Sequence, residues 1–99
     1  MYTIEFSLAA ADEINSLRAF ERTEVLAKID EQLAHQPTQA TRNKKLLPGL
    51  SPAWFHVPPI WELRASELRV FYDVDETRSL VTIRAVRRKP PHATTETIL

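Results

Sequence analysis

From Trp61 to Val86 the chain reads WELRASELRVFYDVDETRSLVTIRAV, three runs rich in β-branched and aromatic residues, broken at Ser66-Glu67 and from Asp75 to Arg78. Runs of that composition with short polar interruptions predict an antiparallel meander. A two-residue turn at Ser66-Glu67 sets Ala65 against Leu68, Arg64 against Arg69, Leu63 against Val70 and Trp61 against Tyr72. A loop from Asp75 to Arg78 then sets Tyr72 against Val81, Val70 against Ile83 and Arg69 against Arg84. Strand side chains alternate with period two, so this register sorts them into two faces. Trp61, Leu63, Val70, Tyr72, Val81 and Ile83 share one; Glu62, Arg64, Arg69, Phe71, Thr82 and Arg84 share the other.

The second face carries the functional lead. Like charges directly opposite on a sheet repel, and here Arg64, Arg69 and Arg84 are expected in one row. Two arrangements offset that repulsion. Arg69 can pair with Asp73 or Glu67 and Arg64 with Glu62, which leaves a solvated face of ordinary ion pairs. Alternatively the row receives an anionic ligand. Phe71, beside Arg69, either stacks a base or is buried under the terminal segment.

The first half of the chain is helical in pattern. Tyr2 to Phe6 alternates as a short strand, and Ser7 is a fitting N-cap for a helix over Ala9 to Ala19 with Ile14 and Leu17 inward. A second helix is expected from about Glu21 to His35, burying Val25, Leu26, Ile29 and Leu33, and Pro37 ends it. From Pro37 to Pro59 the chain holds five prolines and its only glycine, Gly49, and reads as a long loop. That loop opens on the basic cluster Arg42, Lys44 and Lys45 and later carries Trp54, Phe55 and His56. Leu46, Leu47, Trp54 and Phe55 are suited to pin it to the core. A second basic cluster, Arg87, Arg88 and Lys89, precedes Pro90-Pro91-His92, and Thr94 to Glu96 suits the start of a short terminal helix, Thr95 to Leu99.

Composition narrows the chemistry. Ninety-nine residues suit one domain, residues 1–99. The absence of cysteine excludes disulfides and thiolate metal sites and makes the cytoplasm the expected compartment. MYTIEFSLAAADE lacks the pattern of a signal peptide, and no apolar run approaches membrane-spanning length. One glycine cannot build a phosphate-binding glycine loop, and His35, His56 and His92 lack zinc-motif spacing. No metal or other cofactor is therefore expected. Residues 1–41 hold three basic against seven acidic side chains, and residues 42–99 hold ten basic against six acidic. The basic half suits an anionic partner, although zero net charge argues against strong nonspecific nucleic-acid binding. Arg, Lys, His and a carboxylate suffice for phosphodiester chemistry without metal: cations stabilise charge on phosphorus while other groups move protons.

The order strand, helix, helix, three-stranded meander, together with TRNKKL, WELRASELRVFYDV and AVRRKPPH, resembles the RelE/ParE superfamily of bacterial toxins over nearly the whole chain. The resemblance implies an α+β fold with an N-terminal strand, a helical hairpin, an antiparallel meander and a short C-terminal helix. It implies a cognate antitoxin protein that wraps the toxin. RelE-like members cleave mRNA in the ribosome through the 2′-hydroxyl; ParE-like members poison DNA gyrase without a nuclease centre; a degenerate member only binds its antitoxin. Carried over residue by residue, Arg69 matches the arginine of the central strand, Lys89 falls near the basic position ending the last strand, and His92 lies near a terminal His or Tyr. Glu62 corresponds to the carboxylate base of some members. On the nuclease reading Arg69 and Arg84 stabilise the phosphate, Glu62 or His92 moves protons, and Arg42, Lys44, Lys45, Arg64, Phe71, Arg87, Arg88 and Lys89 hold RNA. The chain departs from the nuclease pattern in two places. Ile60, Trp61 and Glu62 stand where RelE-like enzymes carry lysines, and no tyrosine follows Tyr72.

Overall fold

The computed structural model describes residues 1–99. In chain order its elements are β1 (Thr3–Phe6), α1 (Leu8–Asn15), α2 (Ala19–Leu33), β2 (Lys44–Leu47), β3 (Ile60–Ala65), β4 (Leu68–Asp75), β5 (Leu80–Arg88) and α3 (Thr95–Ile98). They form an α+β fold around a five-stranded sheet of order β1-β5-β4-β3-β2. Only β1, which joins β5, is parallel to its neighbour.

Ser7 caps α1 as its position predicts, accepting from the Ala10 N–H at 3.1 Å. The helix stops at Asn15, four residues short of the expected end, although neither Gly nor Pro breaks it. Arg22 supplies the reason. Its guanidinium reaches back from α2 and donates to the carbonyls of Ile14, Asn15 and Leu17, supplying donors where the helix ladder runs out.

Both helices cover one sheet face. Ala10, Ile14, Val25, Ile29 and Leu33 pack there against Trp61, Leu63, Val70, Tyr72, Val81 and Ile83, the six strand residues that alternation assigns to one side. Tyr72 is fully buried, and its hydroxyl donates to the Pro37 carbonyl at 2.6 Å, tying the end of the helical half to the central strand. The opposite face carries a smaller core of Leu47, Ile60, Phe71 and Ala85, covered by Leu50, Trp54, Ile98 and Leu99.

Two expectations about the sheet also change. Residues 44–47, read as loop, form edge strand β2, with Lys44 opposite Leu63 and Leu47 opposite Ile60. Lys44 is therefore turned toward the helices and buried, its Nζ donating to the carbonyls of Gln32 (3.0 Å) and Gln36 (2.7 Å) at the end of α2. Burial lowers the pKa of its ammonium. Assigning Lys44 to nucleic-acid binding is thus corrected: it is the fastener between α2 and β2. Lys44→Met is expected to cost about 1–3 kcal/mol, the range for carbonyls left without a donor. Arg42→Met, at an exposed position with no salt bridge, should leave the urea midpoint nearly unchanged.

The second change concerns β4 and β5. Asp75 pairs with Leu80, so the loop runs from Glu76 to Ser79, with Ser79 at φ 49° and the Arg78 N–H donating to Asp75 Oδ1. This hairpin is displaced by two residues from the expected register, and an even shift keeps every side chain on its face. A β-bulge then intervenes: Tyr72 pairs with Ile83 but Phe71 pairs with Ala85, leaving Arg84 as the extra residue. Beyond the bulge Arg69 faces Arg87, not Arg84.

Candidate functional site

The β3–β4 pairing is as predicted, with Arg64 opposite Arg69. With Arg87 opposite Arg69, a row of three arginines does cross the sheet, but its third member is Arg87. Around the first two lies a small polar cleft of about 200 Å³, lined by Thr41, Arg42, Asn43, Lys44, Lys45, Glu62, Arg64, Arg69 and Lys89. Backbone bonds fix its walls. The Arg64 N–H donates to the Asn43 carbonyl at 2.7 Å, and the Lys89 N–H to the Glu67 carbonyl at 2.8 Å.

Arg69 is only 7% exposed, and its Nη1 donates to the carbonyls of Ser66 and Leu68, both at 2.8 Å. Those acceptors lie in and just after the β3–β4 turn, where Ser66 takes φ 55°. Burial lowers the Arg69 pKa and the nearby Arg64 lowers it further, while Glu62 acts in the opposite sense. Glu62 is the one carboxylate lining the cleft. It is 5% exposed; Lys45 Nζ lies 3.6 Å from its Oε1, and Oε2 accepts from the Thr95 hydroxyl at 3.0 Å.

The particular ion pairs expected for Arg64 and Arg69 do not form. Asp73 is taken by Arg84 and Glu67 by Arg88, and no salt bridge involves Arg42, Arg64, Arg69 or Lys89. Five cations line the cleft beside one carboxylate if the inward-bound Lys44 is set aside. Such a surplus raises the local concentration of anions, and Arg69, shielded from water, attracts one more strongly than it would in the open.

Several expected site residues stand elsewhere. Arg84, displaced by the bulge, donates to Asp73 through Nε (2.7 Å) and Nη2 (3.3 Å), and its guanidinium lies 5.0 Å from the centre of the Phe55 ring. Asp73 also accepts from the Val57 N–H at 2.8 Å, so this pair anchors the 54–57 segment. Phe71 is fully buried in the smaller core beside Trp54, out of reach of any base. Arg87 is held by Glu13, whose Oε1 also accepts the Val86 N–H. Arg88 is on the helical side, bound to Glu21 at 2.8 Å and Glu67 at 3.3 Å. His92 is exposed at φ 67° and lines no wall of the cleft. Thr95, whose hydroxyl reaches Glu62, escaped the sequence reading because its pattern suggests only a helix start.

Arg64 also borders a second, larger groove of about 1160 Å³ between α2 and the β3–β4 turn, where Phe20 stands 64% exposed. No trio of His, Asp or Glu side chains is placed to hold a metal ion. No helix is long and apolar enough to cross a membrane.

No protein-family model and no curated protein matches the sequence. Solved structures do match. The archaeal RelE–RelB complex from Pyrococcus horikoshii superposes with a TM-score of 0.70 at 16% identity, covering 91% of this chain and 97% of the matched one. The RelBE2 toxin–antitoxin complex from Mycobacterium tuberculosis gives 0.68 at 19%, covering 89% and 98%. The isolated E. coli RelE toxin gives 0.67 at 24%, covering 91% and 86%. The chain has the RelE-like fold. At these identities the likeness is one of architecture, so the chemistry of this RelE-like chain has to be argued from its own cleft.

Proposed function

We propose that this chain is the toxin of a type II toxin–antitoxin pair and acts in the cytoplasm as a metal-independent endoribonuclease on ribosome-bound mRNA. The observation that carries the reading is the set of cations without a salt bridge, Arg42, Arg64, Arg69 and Lys89, that line one cleft together with Lys45 and the buried carboxylate of Glu62. Phosphodiester cleavage needs those groups. Glu62 takes the proton of the 2′-hydroxyl as the 2′ oxygen attacks phosphorus. Arg69, with Arg64 beside it, faces the negative charge that builds on the nonbridging oxygens. The bond to the 5′ oxygen breaks, that oxygen receives a proton from a lysine of the cleft, and a 2′,3′-cyclic phosphate and a 5′-hydroxyl end remain. Lys45 thereby offsets the lysines missing from the first meander strand.

The antitoxin is the natural protein partner on this reading, because several matched folds were solved in RelB–RelE complexes. The decisive assay is a translation reaction with mapping of mRNA ends, run beside a gyrase supercoiling assay. Cut mRNA with unaffected gyrase is the expected result; intact mRNA with inhibited gyrase overturns the nuclease in favour of a ParE-like poison. Replacing Arg42 and Lys45 together with Ala is expected to weaken RNA binding and reduce the slope of its salt dependence without moving the cleavage position.

A further inference from the structure

The C-terminal segment does more than cover the smaller core. Ile98 and Leu99 pack against the cluster of Leu47, Ile60, Phe71 and Ala85, which fixes the terminal turn on the sheet independently of any polar contact. From that anchored position the Thr95 side chain, 8% exposed, donates its hydroxyl to Glu62 Oε2 at 3.0 Å. The other oxygen of the same carboxylate faces Lys45. Glu62 and Arg64 are two residues apart on one strand and so share a sheet face, and Arg69 lies directly across from Arg64. A carboxylate freed here would be drawn toward the arginines of its own face, since Glu62 already acts on the charge of Arg69 and a guanidinium binds a carboxylate through paired donors. It would then occupy the donors that an anionic ligand needs.

We propose that Thr95 is a positioning residue. Its hydroxyl holds the single carboxylate of the cleft toward Lys45 and off Arg64 and Arg69, keeping both guanidiniums open for the phosphates of RNA. The inference rests on the reading of the cleft as an RNA site, but its contact is testable without RNA.

Four variants decide it: Thr95→Val, which keeps shape and removes the donor; Thr95→Ser, which restores the donor; Glu62→Gln; and Thr95→Val with Glu62→Gln. Two measurements are made on each purified full-length chain. One is the 13C shift of the Glu62 side-chain carboxyl in the free protein, recorded for the variants that keep Glu62. The other is anisotropy with a fluorescent 2′-O-methyl oligoribonucleotide, which cannot be cut by 2′-hydroxyl attack. Thr95→Val is expected to move the Glu62 resonance and weaken RNA binding about tenfold, the scale of a hydrogen bond to a charged group. Thr95→Ser should match wild type in both. In the Glu62→Gln background, Thr95→Val should cost nothing, because no anion remains to be restrained. An unmoved Glu62 resonance, or an equal loss of binding with and without Glu62, overturns the proposal. A resonance that moves as expected in a protein with no affinity for RNA supports the Thr95–Glu62 restraint and refutes the RNA reading of the cleft.

Discussion

Arg69→Ala is expected to abolish mRNA cleavage and growth arrest in a protein that still folds. Arg69 sits at the middle of the cationic row, held by two backbone carbonyls rather than by a carboxylate. On the nuclease reading, removing it takes away a donor to the charge that builds on the phosphate. Loss of one such donor costs about 2.7–4 kcal/mol, or about 100- to 1000-fold in rate. Arg69→Lys should recover little, because an ammonium cannot bind two backbone carbonyls and still present a flat fork to phosphate. Single-turnover cleavage on programmed ribosomes measures the loss, and thermal unfolding checks that the fold survives. Arg84→Ala makes the contrast. It leaves the buried Asp73 carboxylate without its cation, so the expected loss is of stability, with cleavage by the remaining folded protein retained. Equal loss of cleavage in folded Arg84→Ala would refute this placement of the site.

Phe71→Ala is expected to be the most damaging substitution to the fold on the cleft side of the sheet. The ring is fully buried and forms the centre of the cluster that seats Trp54, Ile98 and Leu99. Emptying such a site costs about 3–5 kcal/mol, a large share of the roughly 5–15 kcal/mol that holds a domain folded. Phe71→Leu, which keeps most of the volume, should cost far less. Urea unfolding separates the two. A base-stacking Phe71 would behave oppositely, giving a stable variant with weakened RNA binding.

The contrast between Arg69 and Phe71 shows which parts of the site the sequence made legible. Alternation alone placed Trp61, Leu63, Val70, Tyr72, Val81 and Ile83 in the helix-side core, because a face is fixed by parity and survives an even slip of register. The Ser66-Glu67 turn placed Arg64 opposite Arg69 correctly, since a two-residue connection leaves little freedom in pairing. The partner of Arg69 on β5 was not legible, because a bulge has no marker in RSLVTIRAV and one extra residue reverses parity. Nor was β2, whose four residues gain their strand form from pairing with β3 and from the Lys44 anchor, not from any repeat in TRNKKLL. Phe71 was left between base stacking and burial under the terminal segment, and burial is what the structure has. A sheet with charges on its second face looks solvated throughout, whereas here the face is divided, apolar around Phe71 and cationic around Arg69. Burial of the apolar part depends on residues 98 and 99, far along the chain.

The bulge at Arg84 decouples the two ends of β5. Up to Ile83 the strand keeps one odd–even phase, set by its loop to β4; after Arg84 it keeps the other, so that Val86 turns inward and Arg87 outward. Deleting Arg84 would straighten the ladder and leave every later residue opposite its present partner. The geometry of the cleft would therefore survive such a deletion, and the casualty would be Asp73, stranded in the interior without a counter-ion. Related chains carrying an apolar residue at the Asp73 position are accordingly free to lose the inserted residue, so the length of β5 and the identity of residue 73 are expected to change together.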